Sequence, residues 1–292
     1  EGASARSADW FAAYHTYDEI KAWYTQHAKD NQGVVKFVPS IGKTLQGNDI
    51  FAVHLTNPNG AAKKKIWFES LIHAREWITG TTSQYIFNEF LTKRQSDPTI
   101  KSLLDEVEII FIPVVNPDGY KYTQTQRLWR KNRNGSGVDL NRNFPFHWGG
   151  PGGSTDPNSE TYSGKSPASE LEVQAIIKYW NTQGKIYGAI DWHSYSELIL
   201  RPFGYTSDDS AHEAQHKQLG DGFRDKIKLN RGKQYTSKKA IGLYPTSGTA
   251  RDWFYGANKS YGYTIELSPG ENASNGFVLP PSEIKKVGAD LL

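Results

Sequence analysis

Lys65-Ile-Trp-Phe-Glu-Ser-Leu-Ile-His-Ala-Arg-Glu76 is the stretch from which the fold can be read. Residues 65–71 alternate weakly and then turn apolar, the pattern of a strand buried on both faces. His73 and Glu76 follow, three residues apart, and residues 75–93 continue with helical spacing. A strand running into a helix is the repeating unit of an α/β protein.

Outward from this segment the alternation recurs. Residues 17–29 have helical spacing, with Thr16 and Asp18 as caps. Residues 34–38 and 50–55 read as strands joined by a Gly-rich turn. Residues 106–115 are strongly β-like, and Asn116-Pro-Asp-Gly119 ends them with turn chemistry. Helices are predicted over 168–182 and 212–228, and strands over 185–191 and 261–267. The expectation is one α/β domain spanning residues 1–292. Its central sheet is mixed, mostly parallel and twisted, with helices on both faces and long active-site loops. Residues 116–167 lack periodicity, and long irregular segments in compact domains usually carry function. Ligands in open α/β sheets sit beyond the carboxyl ends of the strands, so the chemistry is sought there.

Composition narrows the function classes. The 292 residues carry a net charge of +3 without a basic block, so nucleic acid is not an expected partner. Lys63-Lys64-Lys65 reads as a solvated loop before a strand. No run approaches the ~18 apolar residues of a membrane span. Cysteine is absent, which excludes a disulfide framework and thiolate chemistry. Methionine is absent too, so Glu1 is read as a maturation end. Asn134-Gly-Ser, Asn258-Lys-Ser and Asn272-Ala-Ser are N-glycosylation triplets and favour secretion.

A second predicted strand, 185–191, leads into Trp192-His193-Ser194. Neighbouring strand ends could therefore bring His73, Glu76 and His193 together. Two imidazoles and one carboxylate leave a fourth position for water, as catalytic zinc requires. Zinc would lower the pKa of that water towards ~7 and polarise a carbonyl. His15, His27, His212 and His216 stand in helical or capping contexts and read as structural, while His54 and His147 stay open. Residues 127–133 are dense in cations, and Gly137-Val-Asp-Leu-Asn-Arg-Asn143 follows. Arg can clamp a carboxylate bidentately and Asn can add a donor. Asp139 suits a hydrogen bond from a ligand histidine.

In order and number, these fragments resemble the pancreatic-type zinc metallocarboxypeptidases, the A/B family, as do Ser159-Glu-Thr-Tyr-Ser-Gly164, His193-Ser-Tyr195 and residues 261–267. The resemblance implies one zinc ion per chain, held by His73, Glu76 and His193. It implies Glu266 as the general base that activates water, Arg130 as the group polarising the scissile carbonyl, and Asp139 behind the first histidine. Asn141, Arg142 and Tyr244 match the grip on the substrate's terminal carboxylate. Arg75, Ser194, Tyr195 and Phe277 match the outer substrate subsites. It also implies peptide or protein C-termini as substrates, a protein inhibitor or pro-domain as macromolecular partner, a secreted monomer and an already removed pro-domain. Cis peptides are expected at Ser194-Tyr195 and Pro202-Phe203.

By the same resemblance, the pocket for the departing side chain is lined near Leu200, Gly204, Lys239, Leu243, Thr246, Thr249, Arg251 and Thr264. Its floor falls on Arg251, where A-type relatives carry an apolar residue and B-type relatives an acid. A buried guanidinium favours a C-terminal Glu or Asp. If Asp252 neutralises Arg251, an aliphatic or aromatic residue could pack on its stem instead. A zinc amidase or deacylase and an inactive peptide-binding domain are the competing classes. The intact set of ligands, base and carboxylate grip speaks against both.

Overall fold

The computed structural model describes residues 9–60 and 63–292; Glu1 lies outside them. In chain order the helices and strands are α1 (Tyr17–Asp30), β1 (Val35–Lys43), β2 (Asp49–Leu55), β3 (Lys64–Ser70), α2 (Trp77–Lys93), α3 (Pro98–Glu106), β4 (Val107–Ile112) and α4 (Pro117–Tyr122). After the long irregular segment come α5 (Leu171–Thr182), β5 (Ile186–Ser196), β6 (Leu198–Arg201), α6 (Glu213–Arg231), β7 (Thr236–Lys239), α7 (Ala250–Gly256), β8 (Tyr261–Gly270) and α8 (Ile284–Asp290). The sheet order is β1-β2-β4-β3-β5-β8-β6-β7. Its centre, β4-β3-β5-β8, is parallel; β1, β2 and β6 attach antiparallel, and β7 runs parallel to β6. The expected single α/β domain with a mixed sheet is what the chain forms.

Alternation along the strands sorts the core into two faces. On β4, Ile109 and Phe111 pack with Tyr24 of α1, Phe87 of α2 and Leu104 of α3. Ile110 and Ile112 face the other way, against Ile176 and Trp180 of α5 and Phe254 of α7. On β5, Ile190 and Trp192 join Ile227 of α6 and Ile284 and Val287 of α8. Close approach sets one contact: a Cβ at Gly42 would lie 2.5 Å from the Ala175 Cβ of α5.

Several boundaries differ from the sequence reading for local reasons. Asn116 does not merely turn the chain. Its Oδ1 accepts from Gly119 N–H at 3.0 Å and Pro117 takes the first helical position, which makes it the N-cap of α4. Asp97 and Pro98 do the same for α3, so β4 begins only at Val107. Lys64 and Lys65 belong to β3 rather than to a preceding loop. At the N-terminus Thr16 and Glu19 form a reciprocal capping box, as Thr16 suggested.

The parallel centre aims three carboxyl ends at one place. His73 follows β3, Glu76 is the N-cap residue of α2, and β5 runs on through His193. On the β5/β8 ladder His193 stands opposite Glu266. Phe111 is fully buried between the rings of Phe68 and Phe87. Phe111→Ala should therefore cost about 3–5 kcal/mol, read as a lower urea midpoint at unchanged slope.

Candidate metal centre and active-site cavity

His73 and His193 meet the Glu76 carboxylate from two sides. His73 Nδ1 lies 2.9 Å from Oε1, and His193 Nδ1 lies 3.1 Å from Oε2. All three side chains are buried, and their ligand atoms fall within 4.8 Å of one another. Each imidazole turns its other nitrogen to a carboxylate. His73 Nε2 is 3.0 Å from Asp139 Oδ1, and His193 Nε2 is 2.6 Å from Asp191 Oδ2. An Nε2–H donating to a carboxylate leaves the Nδ1 lone pair for a metal. Two buried nitrogens and a carboxylate, each histidine backed by an acid, are a donor set that suits catalytic zinc. The backbone N–H of Ser194 also donates to Glu76 Oε2 at 3.1 Å and fixes that ligand from a third direction.

Around this cluster opens a cavity of about 370 Å³. His73, Arg75, Glu76, Arg130, Asn141, Arg142, His193, Ser194, Tyr195, Tyr244, Arg251, Glu266 and Phe277 all line it. Asp139 stands behind the wall. Burial pushes its carboxyl up, but the charges of Arg130, His73 and Arg142 outweigh this and hold it well below the usual range. The Arg130 guanidinium donates to Asp139 Oδ2 through Nη2 at 2.7 Å and Nε at 3.2 Å. Glu266 has no such partner set. Desolvation is its strongest influence and raises its carboxyl to about 8.

Arg142 and Asn141, the residues expected to grip a carboxylate, are held largely by backbone. Arg142 donates to Gly152 O through Nε and to Asn141 O through Nη1, leaving Nη2 without a partner among the described residues. Gly248 is needed at φ 64°: a Cβ there would lie 2.4 Å from Arg142 O. Asn141 Oδ1 accepts from Ala250 N–H at 2.9 Å. Asn141 Nδ2 lies 3.2 Å from His193 Nε2, but that nitrogen's proton belongs to Asp191 at 2.6 Å. Two donors cannot bond each other, so the Asn141 amide is available to a ligand. Tyr244 is half exposed at the mouth.

At the far end lies the buried Arg251. Its Nε donates to Asp252 Oδ1 at 2.9 Å, the pairing weighed as the alternative above. Asp252 Oδ2 is itself engaged by Gly204 N–H at 2.9 Å. Among the described residues the terminal nitrogens meet only the hydroxyls of Thr246, Thr249 and Thr264, at the long distances of 3.3–3.4 Å. Leu200, Leu243 and the same three threonines line the cavity as expected. Lys239 does not. Its ammonium turns away to Asp209 and to Ser207 O, and Ala240 takes its place on the wall.

The outer rim is an aromatic and cationic stack. Arg75 covers the Phe277 ring at 4.2 Å, and Tyr195 meets Phe277 edge-on at 4.9 Å. Arg127 clasps both sides, donating to Arg75 O at 2.8 Å and to Phe277 O at 2.7 Å. The peptides Ser194-Tyr195 and Pro202-Phe203 are cis. The histidines read as structural lie away from the cluster, and so do the two left open. His54 bonds Glu108 and Tyr179, and His147 stacks on Tyr205 at 3.6 Å.

Sequence reasoning missed Asp191, Glu69, Ser196 and Glu271. Ser196 and Glu271 line the cavity. Glu69 faces Asp191 in the β3/β5 register and is fully buried. Burial and then the Asp191 charge raise its carboxyl well above the usual range. For Glu69 and Asp191 the signal was present: each is an acid late in a largely apolar strand, a few residues before His73 or His193.

A family model described as zinc carboxypeptidase matches residues 20–292. The chain belongs to the zinc carboxypeptidase family. It is 36% identical over 293 residues to zinc carboxypeptidase A 1 of Anopheles gambiae, covering 97% of this chain and 66% of that one. Carboxypeptidase A1 of Rattus norvegicus is 36% identical over 292 residues, with 97% and 69% covered. The chain thus spans about two thirds of the length of these curated relatives. In structure it is similar to bovine thrombin-activatable fibrinolysis inhibitor in complex with tick carboxypeptidase inhibitor. The TM-score is 0.89 at 29% identity, covering 97% of this chain and 95% of that one. With zinc loaded, Asp191→Asn should weaken zinc binding about 10–100-fold in competition with a chelator. Unchanged affinity would mean that Asp191 does not orient His193.

Proposed function

We propose that this chain is a zinc-dependent exopeptidase that removes the last residue of peptides and proteins, preferring Glu or Asp. The observation that carries the reading is one cavity in which the metal triad, the unligated carboxyl of Glu266 and the guanidinium groups of Arg130, Arg142 and Arg251 converge. His73, Glu76 and His193 would hold the zinc, which when bound makes a water more acidic and polarises a carbonyl. Glu266 takes the proton from the attacking water and delivers it to the departing amine. Arg130, braced by Asp139, donates to the carbonyl oxygen as negative charge develops there. Arg142, Asn141 and Tyr244 bind the free carboxylate, which makes cleavage terminal rather than internal. Arg75, Tyr195 and Phe277 take the preceding residues, and Ser194 holds Glu76.

The acidic preference rests on the weakly held fork of Arg251. A substrate carboxylate would replace long hydroxyl contacts with charge-assisted hydrogen bonds. The Asp252 pairing favours the second reading, an aliphatic or aromatic residue packed along the Arg251 stem. Among the described residues no helix is long and apolar enough to cross a membrane. The glycosylation triplets support export from the cell. The cavity is complete within one chain, which supports a monomer, and the inhibitor-bound bovine relative supports a protein inhibitor as partner.

Three measurements test this reading. Release should be measured from peptides ending in Glu, Asp, Phe, Leu or Lys, with and without a zinc chelator and with the terminus amidated. Fast, chelator-sensitive release of Glu that amidation abolishes is expected; release of Phe or Leu alone would discard the role of Arg251. Arg251→Gln should cost about 2–5 kcal/mol on Glu substrates, roughly thirtyfold to several thousandfold in kcat/KM. Glu266→Gln should lower kcat about 10²–10⁴-fold at unchanged zinc content, and zinc loss would remove Glu266 from the base role.

The pH profile follows from the same residue. Glu266 must be ionised to act, its folded value is raised, and activity therefore rises as pH climbs through that value. A dication nearby favours the anion, so the acid limb of kcat/KM should fall between the ordinary 4.5 and about 8.

A further inference from the structure

Three Asn-Xaa-Ser triplets stand in the chain, and their surroundings differ. Asn134 Nδ2, the atom a glycan would occupy, donates to Glu170 Oε2 at 3.0 Å, and Glu170 is buried. Asn258 Nδ2 turns inward to Trp253 O at 3.1 Å. Asn272 is exposed, and its amide has no partner among the described residues. It stands in the turn after β8, where Ala273 N–H donates to Gly270 O at 3.0 Å. Whether sugar is attached before or after folding, the folded chain must accommodate it. Asn134 is exposed, but a glycan there would take one of the two hydrogens of the nitrogen that holds a buried carboxylate, and one on Asn258 would have to leave a half-buried site. On Asn272 it meets only solvent.

We propose that Asn272 is the N-glycan acceptor of this chain and that its glycan screens the entrance of the active-site cavity against bulky macromolecules. The location argues the second half. Glu271, the preceding residue, lines the cavity, and Phe277 at the end of the same loop forms its outer rim. A large hydrated sugar rooted there leaves room for a narrow peptide tail but crowds a folded domain behind it. The donor is a lipid-linked oligosaccharide pyrophosphate of the secretory route. Asn272 Nδ2 bonds the anomeric carbon, the bond from that carbon to the pyrophosphate oxygen breaks, the lipid pyrophosphate leaves and one amide proton passes to solvent. The proposal rests on the reading of this chain as an exported exopeptidase.

The full chain, directed by a generic secretion leader in a eukaryotic host, would be collected from the medium. Glycosidase release in heavy-oxygen water then marks each formerly glycosylated Asn as labelled Asp for peptide mapping. The label is expected at residue 272 and not at 134 or 258. A bare Asn272 in the secreted protein, or comparable labelling of Asn134 or Asn258, overturns the assignment. Asn272→Gln lies outside the catalytic machinery and should leave kcat/KM on a short peptide unchanged. On a folded protein carrying the same C-terminal tail it should raise kcat/KM on the order of tenfold, as should enzymatic deglycosylation of the unaltered chain. Equal rates on the folded substrate would overturn the screening role. Mapping needs no activity, so a bare Asn272 sinks this proposal alone, while a chain that cleaves no peptide sinks only the exopeptidase reading.

Discussion

The carboxylate of Asp139 gathers donors from three segments of the chain while fully excluded from water. It takes the His73 imidazole N–H after β3, two N–H groups of Arg130 and the backbone N–H of Asn141, with Arg142 at 3.9 Å. Its own N–H donates to Tyr162 O at 2.8 Å, which ties in the irregular segment. A buried carboxylate is tolerated only when paired and hydrogen-bonded, and these donors are what pair it. Removing the charge would leave Arg130 uncompensated and His73 without its orienting partner. The His-Glu-His cluster and the Arg130 guanidinium in the cavity wall are thus two ends of one electrostatic unit, and neither can be displaced without the other.

The same logic runs through β5. Asp191 holds His193, and Glu69 stands opposite Asp191 as a carboxyl that burial and the Asp191 charge push well above the usual range. Behind each ligand histidine the protein places an acid, and behind one of those acids a second. The sheet supplies the rigidity: these groups sit on adjacent parallel strands buried on both faces, where side chains have few alternative rotamers. Arg127 plays the corresponding part at the rim, where two carbonyl contacts hold the Phe277 loop to the strand-to-helix junction.

Long apolar strands and periodic helices were legible in the sequence because burial on two faces, or on one, leaves its period in the residues. β6 and β7 were not: each has four residues, and Thr236-Ser-Lys-Lys239 is a polar edge with no apolar alternation. α3 was passed over because its nine residues run directly into the strand, with no turn residue between Glu106 and Val107. Asn116-Pro-Asp-Gly119 carries signals for both a turn and a helix start, and only the chain that follows decides between them. Within the site, His73 and Glu76 could be paired from spacing, whereas the adjacency of His193 and Glu266 is a pairing across 73 positions that no local pattern records. Asp252 was foreseen as a partner of Arg251 because the two are neighbours in sequence. Lys239 was misplaced because a residue beside a pocket in the chain need not face it.

The rung that sets His193 against Glu266 also makes this enzyme a proofreader of its own assembly. Along a strand, successive side chains point to opposite faces. Were β8 to pair with β5 one residue out of step, His193 would stand beside Ile265 or Leu267, and the Glu266 carboxyl would leave the cavity for the apolar layer beneath α6 and α8. Such a chain could keep its helices, its compactness and much of its sheet, yet lack the cavity carboxyl proposed as its general base. Catalytic output per molecule is therefore a stricter gauge of correct strand pairing than any bulk measure of secondary structure.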